Sequence, residues 1–452
     1  VTAAFDRVVQ AFRESPPLWW ACLYFFALLT GYYVLRPVRD AMGATSDIAA
    51  VFPPATIDWF AARGIALGEF TLQVLFTLTF IAMVLLQPVH GALVSRFPRR
   101  VFLPAVYLFF IACLVGFYLA FDSAIPGRGA VFFVWIAVFN LFAVSVFWSF
   151  MADLFVDGQA KRYYGYIGAA GTLGAILGPS LTRVLAERIG TANLLLIAAG
   201  LLGLCLVCIV RLRRWALLRE RERGAGIDAV AIGGSVWAGL RLAMREPLLR
   251  AMALLMFFGV GVGTLLYNEQ AAIARAFYPG EAARTGYYAA IDLAVNGLTL
   301  TVQILLTRTL LLRFGVAVVL LIPALAILVG YAALAASPLP LLVAAVQVLT
   351  RAGEFSLSKP ARETIYTRVD RAWRYKAKAA IDTVVYRAGD LAFVWLHKLL
   401  ALGGSRMVFG VGVLVAAAFT WSAWRVGREQ AKLPAEAPDT APGGQVPAAA
   451  TR

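Results

Sequence analysis

Residues 18–43 read LWWACLYFFALLTGYYVLRPVRDAMG. The opening LWWACLYFFALLTG holds no charge, and with the residues after it the apolar run reaches about 20, enough to cross the hydrocarbon core of a bilayer as one helix. Its last turns nevertheless carry Arg36, Arg39 and Asp40. A charge inside a spanning helix is costly unless it faces protein or water, so this stretch implies a membrane protein with a polar interior around that helix end.

The rest of the chain repeats the pattern. Of 452 residues, 61% are hydrophobic and 15% charged, against about 25% charged in an average soluble domain, and the mean hydropathy is +0.78. Apolar windows are expected to span near 17–37, 69–89, 101–121, 131–153, 164–187 and 192–212, then near 248–269, 286–307, 315–336, 338–358, 379–402 and 407–426. The expected fold is all-α and polytopic, with 12 transmembrane helices in two six-helix halves, 1–212 and 248–427. Between them lies a cytoplasmic central loop, 213–247, and after them a Pro-, Ala- and Gly-rich tail, 428–452, expected to be disordered. The amphipathic VTAAFDRVVQAFRESPP precedes an apolar run longer than a signal-peptide core and without a small-residue cleavage site, so the first span is expected to be retained.

A net charge of +16 raises the question of nucleic-acid binding, but the basic residues are scattered among short loops and form no single face. Counted with the flanking span ends, 29 of the 41 Lys and Arg residues fall at the N-terminus, in even-numbered connections and in the tail, against 10 in odd-numbered connections. That asymmetry places both termini in the cytoplasm. Cys22, Cys113, Cys205 and Cys208 all sit in apolar runs, where neither a metal nor a disulfide is expected. No cofactor and no enzymatic activity are implied.

Charges inside or bordering spans are the functional candidates. They are Arg36, Arg39, Asp40, Asp153, Glu269, Asp292, Arg351, Glu354, Lys359, Arg362, Asp382, Arg387 and Asp390. Arg351 with Glu354, and Arg387 with Asp390, have the helical spacing that lets opposite charges neutralise each other. Arg39 and Asp40 are adjacent and should point apart, so one of them is expected to find a partner elsewhere. The glycines of GYIGAAGTLGAILGP, residues 165–179, lack phosphate-loop spacing and read as a small-residue packing face. With no phosphate-loop motif, transport would be secondary. Arginines in a cavity suit phosphate or carboxylate groups, so an anionic substrate is expected. Asp153 and Glu269 would pair with them when the site is empty; Asp153, at a span end before VDGQAKRYYG, reads equally as a solvated acid.

Six spans, an Arg-rich loop and six more spans resemble the major facilitator superfamily, as does GALVSRFPRR at 91–100, where Ser95 replaces an acid and Pro98 a glycine of that superfamily's loop motif. The resemblance implies a central cavity lined by spans one, four, seven and ten. More narrowly, YYVLRPVRD, FWSFMADLFVDGQAKRYYGYIG at 147–168, LLYNEQ and SLSKPARETIYTRVDRAWRYKAKAAIDTVVYRAGD at 356–390 resemble the nucleotide translocases (ATP/ADP antiporters) of plastids and intracellular bacteria. That resemblance implies charged transport positions at Arg39, Asp153, Glu269 and Arg362, with Arg36 and Asp40 also matching. Two family lysines are arginines here, the fourth-span Glu is Asp153, and Lys359 replaces the acid before Pro360. It implies nucleotide exchange by a monomer in a bacterial inner membrane, with lipid around it. Tyr32, Tyr33 and Tyr267 are candidates to stack a base. Two rivals remain: a proton-coupled permease in which Asp292, Asp382 or Glu354 titrates, and a receptor or scaffold whose basic loops bind anionic lipid or a partner.

Overall fold

The computed structural model describes residues 15–96, 99–155, 157–223, 236–367 and 377–432. Among them there is no strand, as expected for a chain whose backbone polar groups have only each other to bond inside a bilayer. The spans are α1 Pro16–Gly43, α2 Thr71–Arg96, α3 Arg99–Asp122, α4 Arg128–Leu154, α5 Asp157–Ile189 and α6 Thr191–Arg223. The second set is α7 Pro247–Phe277, α8 Glu281–Thr307, α9 Arg308–Ala336, α10 Pro340–Tyr366, α11 and α12 Ser405–Gln430. Of the described helices, 11 are long and apolar enough to cross a membrane. The remaining expected span is helical too, but α11 is built from Lys378–Ala380, Ile381–Val385 and Tyr386–Ala401 and carries Lys378, Asp382, Arg387, Asp390 and Lys398.

Several connections are themselves helical. Ile48–Val51, capped by the Asp47 carboxylate on the Ala50 amide, and Pro54–Ala61 fill the link from α1 to α2. In the central loop α6 continues to Arg223 and a short helix, Val236–Arg245, leads into α7. Residues 1–14, 224–235 and 433–452, which include most of the expected amphipathic start and of the tail, lie outside the described residues, as do 97–98 and the side chains of the 91–100 motif.

Each half packs around its own core, with Leu28, Val34, Phe132, Phe147 and Leu202 in the first and Leu255, Leu265, Tyr331, Phe409 and Ala423 in the second. In the first half three glycines of the run, Gly171, Gly174 and Gly178, do the packing expected of it, while a Cβ at Gly168 would meet nothing within 4 Å. A Cβ at Gly174 would run into the Phe26 carbonyl and one at Gly171 into the Phe25 ring, and one at Gly178 would stand 2.7 Å from the Thr30 carbonyl and from Tyr33. Only a bare backbone lets α5 approach α1 like this.

The second half is irregular instead. The helices contain π turns at Gln303–Thr307, Glu354–Ser358 and Ile381–Val385, and such turns gather at functional sites. Two of them are stitched together: Gln303 Nε2 donates to the Phe355 carbonyl at 3.1 Å and Thr307 Oγ1 to the Ser356 carbonyl at 2.8 Å. Side chains of α8 thus occupy acceptors that the wider turn of α10 exposes.

The halves touch mainly toward the end of the bundle where α1 finishes. Gln73 Nε2 donates to the Val394 carbonyl at 3.2 Å, Trp395 Nε1 to Thr77 Oγ1 at 3.2 Å, and Arg284 Nη2 to Thr45 Oγ1 at 2.9 Å. Glu281 accepts from Thr191 Oγ1 and lies 3.9 Å from Arg128, while Lys398 reaches Glu69 at 3.2 Å. Nearer the middle, Asn296 Nδ2 donates to the Ala175 carbonyl at 2.7 Å.

Candidate functional site

Between the halves, on the side where α1 begins, lies a cavity of about 550 Å³. Its lining includes Phe25, Tyr32, Tyr33 and Arg36 of α1, Asn140 of α4, Gly168 and Thr172 of α5, Asn296 of α8, and Phe355, Lys359 and Glu363 of α10. Helices α1, α4 and α10 thus line it as the superfamily resemblance implies. Among the described residues, α5 and α8 complete the wall and α7 does not contribute. The π turn at Glu354–Ser358 and the glycines of α5 set these faces: the first redirects the end of α10, the second brings α5 against α1.

Behind Arg36 sits a buried charge cluster. Asp292, with 1% of its side chain exposed, lies 2.6 Å from Arg351 Nη2 and 3.6 Å from Arg36 Nε. Arg36 Nε is also 3.9 Å from Asp40 Oδ2. Asp40 Oδ1 accepts from Arg39 at 2.6 and 2.9 Å and from the Tyr267 hydroxyl at 3.0 Å. Three guanidiniums therefore surround two carboxylates, leaving one positive charge in excess. Of this set Arg36 is the member that faces the cavity.

Two expected pairings are corrected here. Arg39 and Asp40 do not point apart: the long Arg39 side chain folds back onto its neighbour's carboxylate, and its guanidinium lies 5.2 Å from the Phe133 ring. Arg351 does not pair with Glu354. It reaches across to Asp292, while Glu354 takes Arg362 at 2.5 and 3.1 Å. The cause is the π turn, which takes about one residue more than the 3.6 of an α turn and makes eight residues two whole turns.

The other candidates are dispersed. Arg387 and Asp390 form the expected pair at 3.2 Å, with Thr264 Oγ1 donating to Asp390 at 3.1 Å. With Arg39, Phe76, Thr79 and Phe133 they line a small cavity of about 50 Å³ beyond the main one. Glu269 lines neither cavity: it meets His397 Nε2 at 2.9 Å and accepts from Ser405 Oγ at 2.7 Å, tying α7 to α11 and α12. Asp382 is exposed on its π turn, and Lys378 holds Glu363 at 2.6 Å. Asp153 is the penultimate residue of α4, and its side chain lies outside the described part of the structure. Tyr32 and Tyr33 line the cavity, whereas Tyr267 is committed to Asp40. Asn140, Thr172, Asn296 and His397 are not Asp, Glu, Lys or Arg and so are not among the sequence candidates; polar residues within apolar runs are the signal that marks them. Among the described residues, no group of three or more His, Cys, Asp or Glu could hold a metal ion.

Residues 46–389 match the family model of the Major Facilitator Superfamily. No curated protein matches the chain in sequence. In structure it is similar to an auto-inhibited POT family peptide transporter, with 15% identity and a TM-score of 0.60 over 93% of this chain and 98% of that one. The human organic anion transporter MFSD10 (TETRAN) gives 15% and 0.56 over 90% and 98%. The xylose transporter XylE from E. coli, in an inward open conformation, gives 17% and 0.56 over 88% and 95%. At such identities the likeness is one of fold. The chain belongs to the Major Facilitator Superfamily and is built as a secondary transporter of that type.

Proposed function

We propose that this transporter exchanges nucleotides, or closely related phosphorylated anions, by alternating access between its two halves. The observation that carries the reading is Arg36, which presents a guanidinium to the cavity from a buried cluster with one unbalanced positive charge. An anion bound there neutralises that excess. Lys359 supplies a second cation from the opposite half, and Tyr32, Tyr33 and Phe355 offer aromatic surface for a base. The volume falls within the range of about 300–1,000 Å³ usual for small-molecule sites. The narrower sequence resemblance to nucleotide translocases points the same way through Arg36, although the described transport positions it marks, Arg39, Glu269 and Arg362, are all engaged outside this cavity. With both termini in the cytoplasm of a bacterial inner membrane, the cavity faces inward. One chain supplies both halves, so the reading needs no second copy.

Equilibrium binding of labelled ATP to the purified protein tests this, with ADP, inorganic phosphate and adenosine as competitors. Competition by ADP and weak or absent competition by adenosine is the expected pattern. Equal competition by adenosine contradicts a site built on phosphate.

A second reading is a proton-coupled permease for a carboxylate. The fold likeness to a POT family transporter in complex with 5-aminolevulinic acid, at 13% identity and a TM-score of 0.60, favours it, because Arg36 and Lys359 suit a carboxylate as well as a phosphate. Uptake driven by a pH gradient into empty vesicles separates the two.

A further inference from the structure

Asp292 touches guanidiniums from both halves, and its two contacts differ in kind. Arg351 lies in the same half, 2.6 Å away, so that contact moves with Asp292 when the halves rock. Arg36 lies in the other half, and its contact is the longer one, 3.6 Å through Nε. The Arg36 side chain is 16% exposed and lines the cavity, whereas Asp292 is 1% exposed and does not. An anion therefore reaches Arg36 from the cavity without first displacing Asp292 from Arg351.

We infer that Asp292 enforces exchange: in the empty carrier it holds Arg36 across the interface, and an anionic group in the cavity takes Arg36 from it and frees the halves to rock. The inference rests on the functional reading above and adds the residue that makes transport obligatorily coupled. The charges stay compensated only along that route. When an anion arrives, Arg36 passes to a new counter-charge and Asp292 keeps Arg351, so neither is left buried and unpaired. When the cavity is empty, parting the halves would leave Arg36 with Asp40 alone, at 3.9 Å, and Asp40 is already engaged by Arg39 of its own helix. Other contacts cross the interface, among them the Lys398–Glu69 and Arg128–Glu281 pairs and the Asn296 bond to the Ala175 carbonyl, but none of them presents a cation to the cavity for an anion to take.

Two substitutions at Asp292 pull in opposite directions. Asp292→Asn releases Arg36 and adds to the positive excess, so ATP binding tightens several-fold and proteoliposomes take up labelled ATP without internal counter-substrate. Asp292→Glu reaches further toward Arg36, so ATP binding weakens several-fold while exchange stays strict. If Asp292→Asn does not fold, the Glu variant alone decides, and unchanged affinity there overturns the inference.

A readout that needs no ligand keeps this separate from the functional reading. Thr79 is buried in the small cavity beyond Arg39, on the closed side. In a Thr79→Cys background, Asp292→Asn raises the rate of labelling by an impermeant thiol reagent several-fold, because the empty carrier now visits the opposite state. A wild-type protein that binds no ATP would sink the nucleotide reading. A labelling rate unmoved by Asp292→Asn would sink the latch, whatever the substrate.

Discussion

Glu354 and Arg362 stand eight residues apart on α10 and form a two-point ion pair, Arg362 Nη2 to Oε1 at 2.5 Å and Nη1 to Oε2 at 3.1 Å. In an α-helix eight residues overshoot two turns, and it is the π turn at Glu354–Ser358 that restores the alignment. The pair also leaves Arg351 free to serve Asp292. Glu354→Ala removes a charged acceptor from Arg362, whose side chain is 10% exposed. A loss of about 1–3 kcal/mol is expected, toward the lower end because Glu354 is itself more than one-third open to solvent. A fall in the thermal midpoint of the detergent-solubilised protein measures it.

Packing of α5 on α1 predicts a contrast between two glycines. Gly174→Ala drives a methyl group into the Phe26 carbonyl, whereas a Cβ at Gly168, which lines the cavity, meets nothing within 4 Å. Overpacking at the first site should cost about 1–3 kcal/mol, with little change in stability at the second. Equal thermal midpoints for the two variants would contradict the close approach of these helices.

His397 and Ser405 together hold Glu269, away from either cavity. His397→Ala leaves that buried carboxylate with one partner, and a stability loss of about 1–3 kcal/mol follows. Affinity for ATP, measured on the folded fraction, stays within about twofold, since the pair does not line the site. A large loss of affinity with normal stability would return Glu269 to the binding site.

Arg36 predicts a specificity change rather than a general loss. Removing one charge-assisted hydrogen bond costs about 1.5–3 kcal/mol, so Arg36→Gln should weaken ATP binding by about tenfold or more. Adenosine, which has no phosphate, keeps its weak affinity. The ratio of the two affinities, measured by competition, is the check.

The sequence made the architecture legible because a bilayer imposes a length and an apolarity on every span, and those survive in composition alone. Helix α11 shows the limit: its five charges, Lys378, Asp382, Arg387, Asp390 and Lys398, hide a span that the pattern of neighbouring helices still requires. The glycine run was legible for a similar reason, since five glycines at helical spacing have few other uses. Pairing was less legible. Helical spacing anticipated Arg387 with Asp390 but failed for Arg351 and Glu354, because nothing local announces a π turn that shifts the register of α10. Adjacent Arg39 and Asp40 misled for another reason, since Cβ directions do not limit a side chain as long as arginine's. Asp292 was visible as a buried charge, yet its place between Arg36 and Arg351 depends on three helices meeting, which no single segment encodes.

The central claim is that phosphorylated anions cross by exchange, and uptake of labelled ATP into proteoliposomes tests it most directly. Vesicles preloaded with ADP should accumulate label and empty vesicles should not. Label entering neither, with folded protein in the bilayer, or entering empty vesicles equally well, would contradict nucleotide exchange by this cavity.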